Sequence, residues 1–213
     1  NIMNDNKYWN NYYSLNSTFL KPSNFAIFAK KFIKKDNIIL EIATGNGRDA
    51  FYLKKFCKKV YAIDNSKIVI DKNKNKIKKL NIKNLYFKKM SVSNLNKLVN
   101  ISKINFIYAR FFLHSIDQKK ENLLLKNFFK IFNSKTLMAL EFRTNKDVLM
   151  KSGKKISKNE RYTDHYRRFI NVNTFQKKIL KNNGKIIYKK SGLNLSKTKT
   201  ENPHLCRMII QSN

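Results

Sequence analysis

Glu41, Gly45, Gly47 and Asp64 are the residues whose types and spacing carry the clearest chemistry in this chain. The first three lie in Ile38-Ile-Leu-Glu-Ile-Ala-Thr-Gly-Asn-Gly-Arg48, a short apolar run entering a glycine-bearing turn. Asp49-Ala-Phe-Tyr-Leu-Lys-Lys-Phe56 follows as a helix-forming run, and Val60-Tyr-Ala-Ile-Asp64 reads as a second strand ending in an acid 17 residues after Gly47. A strand, a Gly-x-Gly turn, a helix and a strand closed by a carboxylate is how an α/β sheet holds an adenosine-type ligand. The glycines let the backbone approach it, and the acid accepts hydrogen bonds from ribose hydroxyls. The nicotinamide dinucleotide fingerprint is not met, because Ala50 stands where its third glycine would be.

With Glu41 inside the approach to the turn, the segment resembles motif I of the class I S-adenosylmethionine-dependent methyltransferases, Glu/Asp-x-Gly-x-Gly-x-Gly. Glu41, Gly45 and Gly47 match it, Ala43 stands at the first glycine, and Asp64 matches the acid that binds the ribose in this family. The resemblance implies S-adenosylmethionine as cofactor, S-adenosylhomocysteine as product, and a site formed by Glu41, Ala43, Gly45, Gly47 and Asp64. Many relatives place an Asp after the third strand to bind the adenine amine. This chain has Ser91-Val92-Ser93 there, so Ser91 or the backbone of Val92 is the substitute. The family marker for methylation of amide or exocyclic nitrogen, Asn/Asp-Pro-Pro-Tyr, is absent after the fourth strand, which argues against adenine or glutamine as acceptor.

Acceptor chemistry is sought after the fourth and fifth strands. Tyr108-Ala-Arg-Phe-Phe-Leu-His114 offers His114 as a candidate general base, with a helix-capping or core role as the alternative. Glu141-Phe-Arg143 leads into a polar stretch, 145–169, that reads as a substrate loop or lid and carries His165, Tyr166, Arg167 and Arg168. Asp164-His-Tyr-Arg-Arg-Phe169 is similar to a motif of bacterial methyltransferases encoded among capsule and glycan genes, whose members also carry Arg-Phe-Phe-Leu-His and Glu-x-Arg. No His and acid pair has a convincing metal spacing, and no metal is expected.

The seven arginines stand out against 39 lysines. A planar guanidinium grips phosphate or carboxylate through two parallel hydrogen bonds, which an ammonium cannot do. Arg110 and Arg143 at strand ends, with Arg167 and Arg168 in the loop, point to a small anionic acceptor; structural ion pairs are the other reading of each. An acceptor of phosphate type is already anionic and needs alignment by arginines, whereas a neutral hydroxyl needs His114 or His165 as base.

Those residues must be positioned by an ordered set of elements. A helix opens at Pro22-Ser-Asn-Phe25 and runs to about Lys35, and Asn65-Ser66 caps a Lys-rich helix to about Leu80. Further strands are expected over 84–88, 104–109 and 136–142, and further helices over 117–132 and 171–183. Gly184–Lys189 and Leu205–Ile210 close the chain as two consecutive strands. The fold expected is a Rossmann-like α/β domain: a seven-stranded, mostly parallel sheet with the last strand antiparallel and helices on both faces. One domain over 1–213 is expected, with 1–21 as an aromatic N-terminal segment or lid and 145–169 as a loop insertion.

Composition bounds the rest. With 42% hydrophobic and 13% aromatic residues the chain folds. It has no apolar run long enough for a membrane span and no visible signal peptide, and its opening on Asn suggests trimming. Cys57 and Cys206 read as reduced residues, so a cytoplasmic setting is expected. The net charge of +33 implies nonspecific polyanion binding at low salt, but lysine is spread everywhere rather than over one face. An RNA methyltransferase is the alternative that charge favours, although no aromatic stacking platform is evident in the sequence. A catalytically silent binding protein on the same scaffold is the other.

Overall fold

The structure, a computed structural model, describes residues 8, 11, 21–98 and 101–212. Apart from residues 8, 11 and 21, the expected N-terminal aromatic segment lies outside the described residues. Two compact units form, 1–108 and 109–213.

In the first unit, the Ser23 hydroxyl accepts the Ala26 N–H and caps α1 (Asn24–Ala29). The helix tightens into a 3-10 turn, Lys30–Phe32, and stops at extended Ile33, short of the expected Lys35. β1 (Ile38–Ile42) is buried at all but its first residue, which suits an apolar strand covered on both faces. α2 (Arg48–Leu53) leads to β2 (Lys59–Asp64), then α3 (Lys67–Lys79), which Ser66 caps through the Val69 N–H, and β3 (Leu85–Lys89). The crossover after β3 contains no α-helix among the described residues. It holds two 3-10 turns, Val92–Lys97 and Ile101–Lys103, before β4 (Phe106–Arg110). Phe25, Leu40, Leu53, Ile63, Ile70 and Phe106 are buried in this unit.

In the second unit, Asp117 caps α4 (Gln118–Ile131), and β5 (Leu137–Arg143) follows, buried from Met138 onward. The stretch 145–169 is not an open loop. It forms a separate antiparallel sheet of β6 (Lys154–Ser157), β7 (Glu160–Tyr162) and β8 (Tyr166–Arg168). β6 is exposed along its whole length, so ladder hydrogen bonds hold it without the apolar alternation that marks a strand in sequence. α5 (Val172–Lys181), capped by Asn171, leads to β9 (Lys185–Gly192) and β10 (Leu205–Gln211).

The main sheet has seven strands in the order β3-β2-β1-β4-β5-β10-β9. β1 pairs in parallel with β2, and β2 with β3. β10 is antiparallel to both β5 and β9, so the last strand is inserted beside the fifth as expected. Helices flank this sheet, and its order reverses at β1, the topological switch point at which open α/β sheets bind ligands. No described helix is long and apolar enough to cross a membrane.

Candidate functional site

The glycine turn after β1 is shaped for a ligand's close approach. Ala43, Gly45 and Gly47 all take left-handed backbone, with φ of 56°, 54° and 77°. A side chain on Gly47 would come within 2.9 Å of Phe87 Cζ and 3.1 Å of Asn73 Oδ1, so only glycine fits there. Asn73, buried on α3, donates from Nδ2 to the Gly45 carbonyl at 2.8 Å and ties the turn to the helix behind it. Ala43 is exposed and carries the same backbone without glycine's freedom.

Asp64 closes the other side of the turn. Its Oδ2 accepts the Gly45 N–H at 3.0 Å and its Oδ1 the Ser66 N–H at 2.9 Å. The Asn65 N–H acts on the same carboxylate, and since a carboxylate has about four acceptor positions, three backbone donors leave room for a ribose hydroxyl. Burial raises the Asp64 pKa, against the lowering effect of those backbone donors. Glu41 is 3% exposed and accepts the Thr44 hydroxyl at 2.9 Å. Burial, then the nearby Asp49 carboxylate, push its pKa well above the ordinary value. Both acids therefore sit where a ligand bringing positive charge or hydroxyl donors is favoured.

Behind this turn lies a polar cluster without a sequence motif. Buried Asp49 accepts the Ser23 N–H at 2.8 Å, the Ser23 hydroxyl at 2.7 Å and the Tyr108 hydroxyl at 2.7 Å. It links the starts of α1 and α2 to β4. Only the acid at the start of α2 signals it in sequence, as an ordinary helix-start preference. Ser91 caps the 3-10 turn after β3 by accepting the Ser93 N–H, and Val92 beside it is 6% exposed.

In the second unit, Phe111 follows β4 with φ of 55°, a left-handed conformation that is uncommon for an aromatic residue. Its N–H donates to the Glu141 carbonyl at 2.8 Å. The Arg110 guanidinium lies 3.9 Å from its ring centroid and that of Arg143 5.8 Å. Glu141 accepts from Arg110 Nε at 3.0 Å, Arg207 Nε at 2.7 Å and the Ser196 hydroxyl at 3.0 Å. Two guanidiniums thus share one carboxylate.

His114, 4% exposed, accepts the Arg143 N–H on Nδ1 at 3.2 Å. A neutral imidazole accepts on one nitrogen and donates from the other, so its proton sits on Nε2. Burial first, then the positive charges of Arg143, Arg167 and Arg110, drive its pKa well below the usual value. The Arg143 side chain, 6% exposed, donates to Asp147 at 3.1 Å and to Glu201 at 2.6 Å. His204 meets the Thr144 hydroxyl at 2.6 Å nearby.

The β6–β8 sheet carries the remaining expected residues. His165 lies 3.2 Å from an Asp164 oxygen, and burial moves its pKa down to about 4. Tyr166 donates to Glu160 at 2.5 Å, and burial raises its pKa. Arg167 is held by Thr163 and Asp164 of its own hairpin. Arg168 donates to the Ile116 carbonyl at 3.0 Å and to Glu121 at 2.5 Å, with Lys178 on that carboxylate's other oxygen. Among the described residues no group of His, Cys, Asp and Glu is placed to hold a metal ion.

The glycine turn that a side chain would block, and the Asp64 carboxylate with an acceptor position to spare, fit an adenosine-bearing cofactor. Comparison with known proteins agrees. The family model described as a methyltransferase domain matches residues 33–202. An S-adenosylmethionine-dependent methyltransferase from Clostridium acetobutylicum superposes with a TM-score of 0.70 at 15% identity, over 99% of this chain and 100% of that one. Another from Methanosarcina mazei gives 0.70 at 16% identity, over 87% and 96%. A third, from Anabaena variabilis, gives 0.68 at 17%, over 99% and 96%. No curated protein matches the sequence. The chain belongs to the methyltransferase domain family, with the class I fold whose cofactor is S-adenosylmethionine.

Proposed function

We propose that this enzyme methylates an oxygen of a small anionic acceptor, such as a nucleotide-linked sugar or a phosphate-modified capsular glycan precursor. The observation that carries this reading is the gathering of guanidiniums beside His114: Arg110 and Arg143 both lie against the Phe111 ring, which packs on His114, and Arg110 shares the single Glu141 carboxylate with Arg207. Two guanidiniums on one carboxylate leave a surplus of positive charge that favours an anion. Arg110 is the leading contact, because its carboxylate partner is shared with Arg207 and its side chain keeps 17% exposure. Arg143 and Arg168 are deeply engaged with internal carboxylates and act by holding structure.

Bound S-adenosylmethionine supplies an electrophilic methyl carbon on its sulfonium. Asp64 and the Gly45–Gly47 backbone hold and orient the cofactor. An anionic oxygen has no proton to lose, so alignment by guanidiniums does the work that a base performs for a neutral hydroxyl. His114, with Nδ1 occupied, serves as a neutral Nε2–H donor. His165 is the remaining candidate base, for an acceptor that retains a proton.

The test is release of S-adenosylhomocysteine from S-adenosylmethionine with phosphorylated sugars and nucleotide-linked sugars, beside their uncharged counterparts. Turnover confined to the anionic set is expected. Equal turnover of the uncharged compounds overturns the proposal.

A further inference from the structure

One face of β2 and β3 carries Tyr61 and Ile63 on β2 and Tyr86 on β3, beside Lys59 and Lys88. Tyr61 and Tyr86 are cross-strand partners in the parallel ladder, with ring centroids 5.5 Å apart and planes 30° apart. Tyr86 is 43% exposed. The crossover after β3 runs through 3-10 turns, with no α-helix among the described residues. A cavity of about 420 Å³ lies here, with Tyr61, Ile63, Tyr86 and Leu98 in its wall beside Lys74 and Lys88. Lys59 stands over both rings, 5.8 Å from the centroid of Tyr61 and 5.2 Å from that of Tyr86.

We propose that this face docks a single strand of nucleic acid, one base displacing the Lys59 ammonium from over the rings to stack on Tyr86 beside Tyr61, while Lys59, Lys74 and Lys88 meet the phosphates. Exposed aromatic faces interleaved with cations are what a sequence-tolerant single-strand site needs, since every base offers a π-face and every nucleotide a charge. The lysines lie toward both ends of the tyrosine pair. Lys59 and the Ile63 partner Lys88 are separated by four steps along the ladder, roughly 13 Å at strand rise, a span suited to consecutive nucleotides of a strand. The net charge of +33 supplies long-range attraction, and the tyrosines add what charge alone lacks. The proposal does not depend on which acceptor is methylated.

The test measures fluorescence anisotropy of a labelled ten-nucleotide oligouridylate with the full chain, beside labelled heparin, a polyanion without bases. Tyr86→Ala is expected to weaken oligouridylate binding about five- to tenfold, with heparin affinity unchanged within about twofold and Tyr86→Phe close to wild type. Heparin and oligouridylate weakened equally, oligouridylate unaffected by Tyr86→Ala, or no oligouridylate binding by the wild type would each overturn the proposal. Uridine monophosphate displacing the oligomer at the same nucleotide concentration would also overturn it, by showing a small-ligand cleft. Retained S-adenosylmethionine binding in Tyr86→Ala, followed by calorimetry, shows that the variant is folded and its cofactor turn intact.

Discussion

The Arg143 N–H donates to Nδ1 of His114, so a backbone group of β5 occupies the lone pair that a general base would use. Imidazole in this state is a donor through Nε2. We therefore read His114 as a donor rather than as the base that its residue type and position suggest in sequence.

The pH dependence of stability follows from the same burial. His114 and His165 both have folded-state pKa values below the ordinary value of 6.5, His165 at about 4. The unfolded chain then binds more protons than the folded one below 6.5, so stability is full above 6.5 and falls as pH drops toward 4. His165→Gln is expected to remove part of that dependence, at most roughly 2 kcal/mol between pH 7 and pH 5. Urea denaturation at pH 7 and pH 5 checks it. An unchanged slope would place His165 in solvent.

Arg168 and Glu121 form a buried ion pair at 2.5 Å, with Lys178 on the second carboxylate oxygen. Arg168→Ala leaves Glu121 with one partner and the Ile116 carbonyl without its donor. Loss of about 3 kcal/mol is expected, read from denaturant unfolding. A stable Arg168→Ala variant with weakened acceptor binding would return this residue to the acceptor site.

Arg110→Ala is expected to act on the acceptor instead. The buried Glu141 keeps Arg207 and Ser196, so the fold tolerates the change. We expect KM for an anionic acceptor to rise about tenfold or more, which corresponds to loss of a charged hydrogen bond, with cofactor affinity unchanged. An unchanged KM would remove Arg110 from acceptor binding.

Ala43 holds φ of 56° in a position exposed to solvent. A left-handed conformation costs an L-residue about 1–2 kcal/mol, partly offset by the greater unfolded-state freedom of glycine. Ala43→Gly is expected to stabilise the protein by about 0.5–1 kcal/mol, measured as a raised thermal midpoint. A lowered midpoint would mean that the alanine methyl makes a contact of its own.

The parts of the site that were legible in sequence are local. Glu41 and Asp64 lie on two adjacent strands joined by the turn of Gly45 and Gly47 and one short helix, and glycine at left-handed positions leaves a readable mark. Asn73 was not legible, because an asparagine inside a Lys-rich helix resembles any surface residue until the helix packs on the turn. The Asp49, Ser23 and Tyr108 cluster joins residues 26 and 59 positions apart and follows only from the tertiary fold. The main sheet could be read because its central strands, such as β1, β4 and β5, are apolar runs. The β6–β8 sheet could not, because its short polar strands are held by backbone ladders. Tyr61 and Tyr86 likewise meet only when β2 and β3 pair.

Calorimetric titration with S-adenosylmethionine and S-adenosylhomocysteine, on the wild type and Asp64→Ala, tests the cofactor site most directly. Saturable binding by the wild type, weakened at least tenfold (about 1.4 kcal/mol) in the variant, is the predicted result. Absence of binding by the folded wild type, or equal binding by Asp64→Ala, would contradict the assignment of the glycine turn and its acid as the cofactor site.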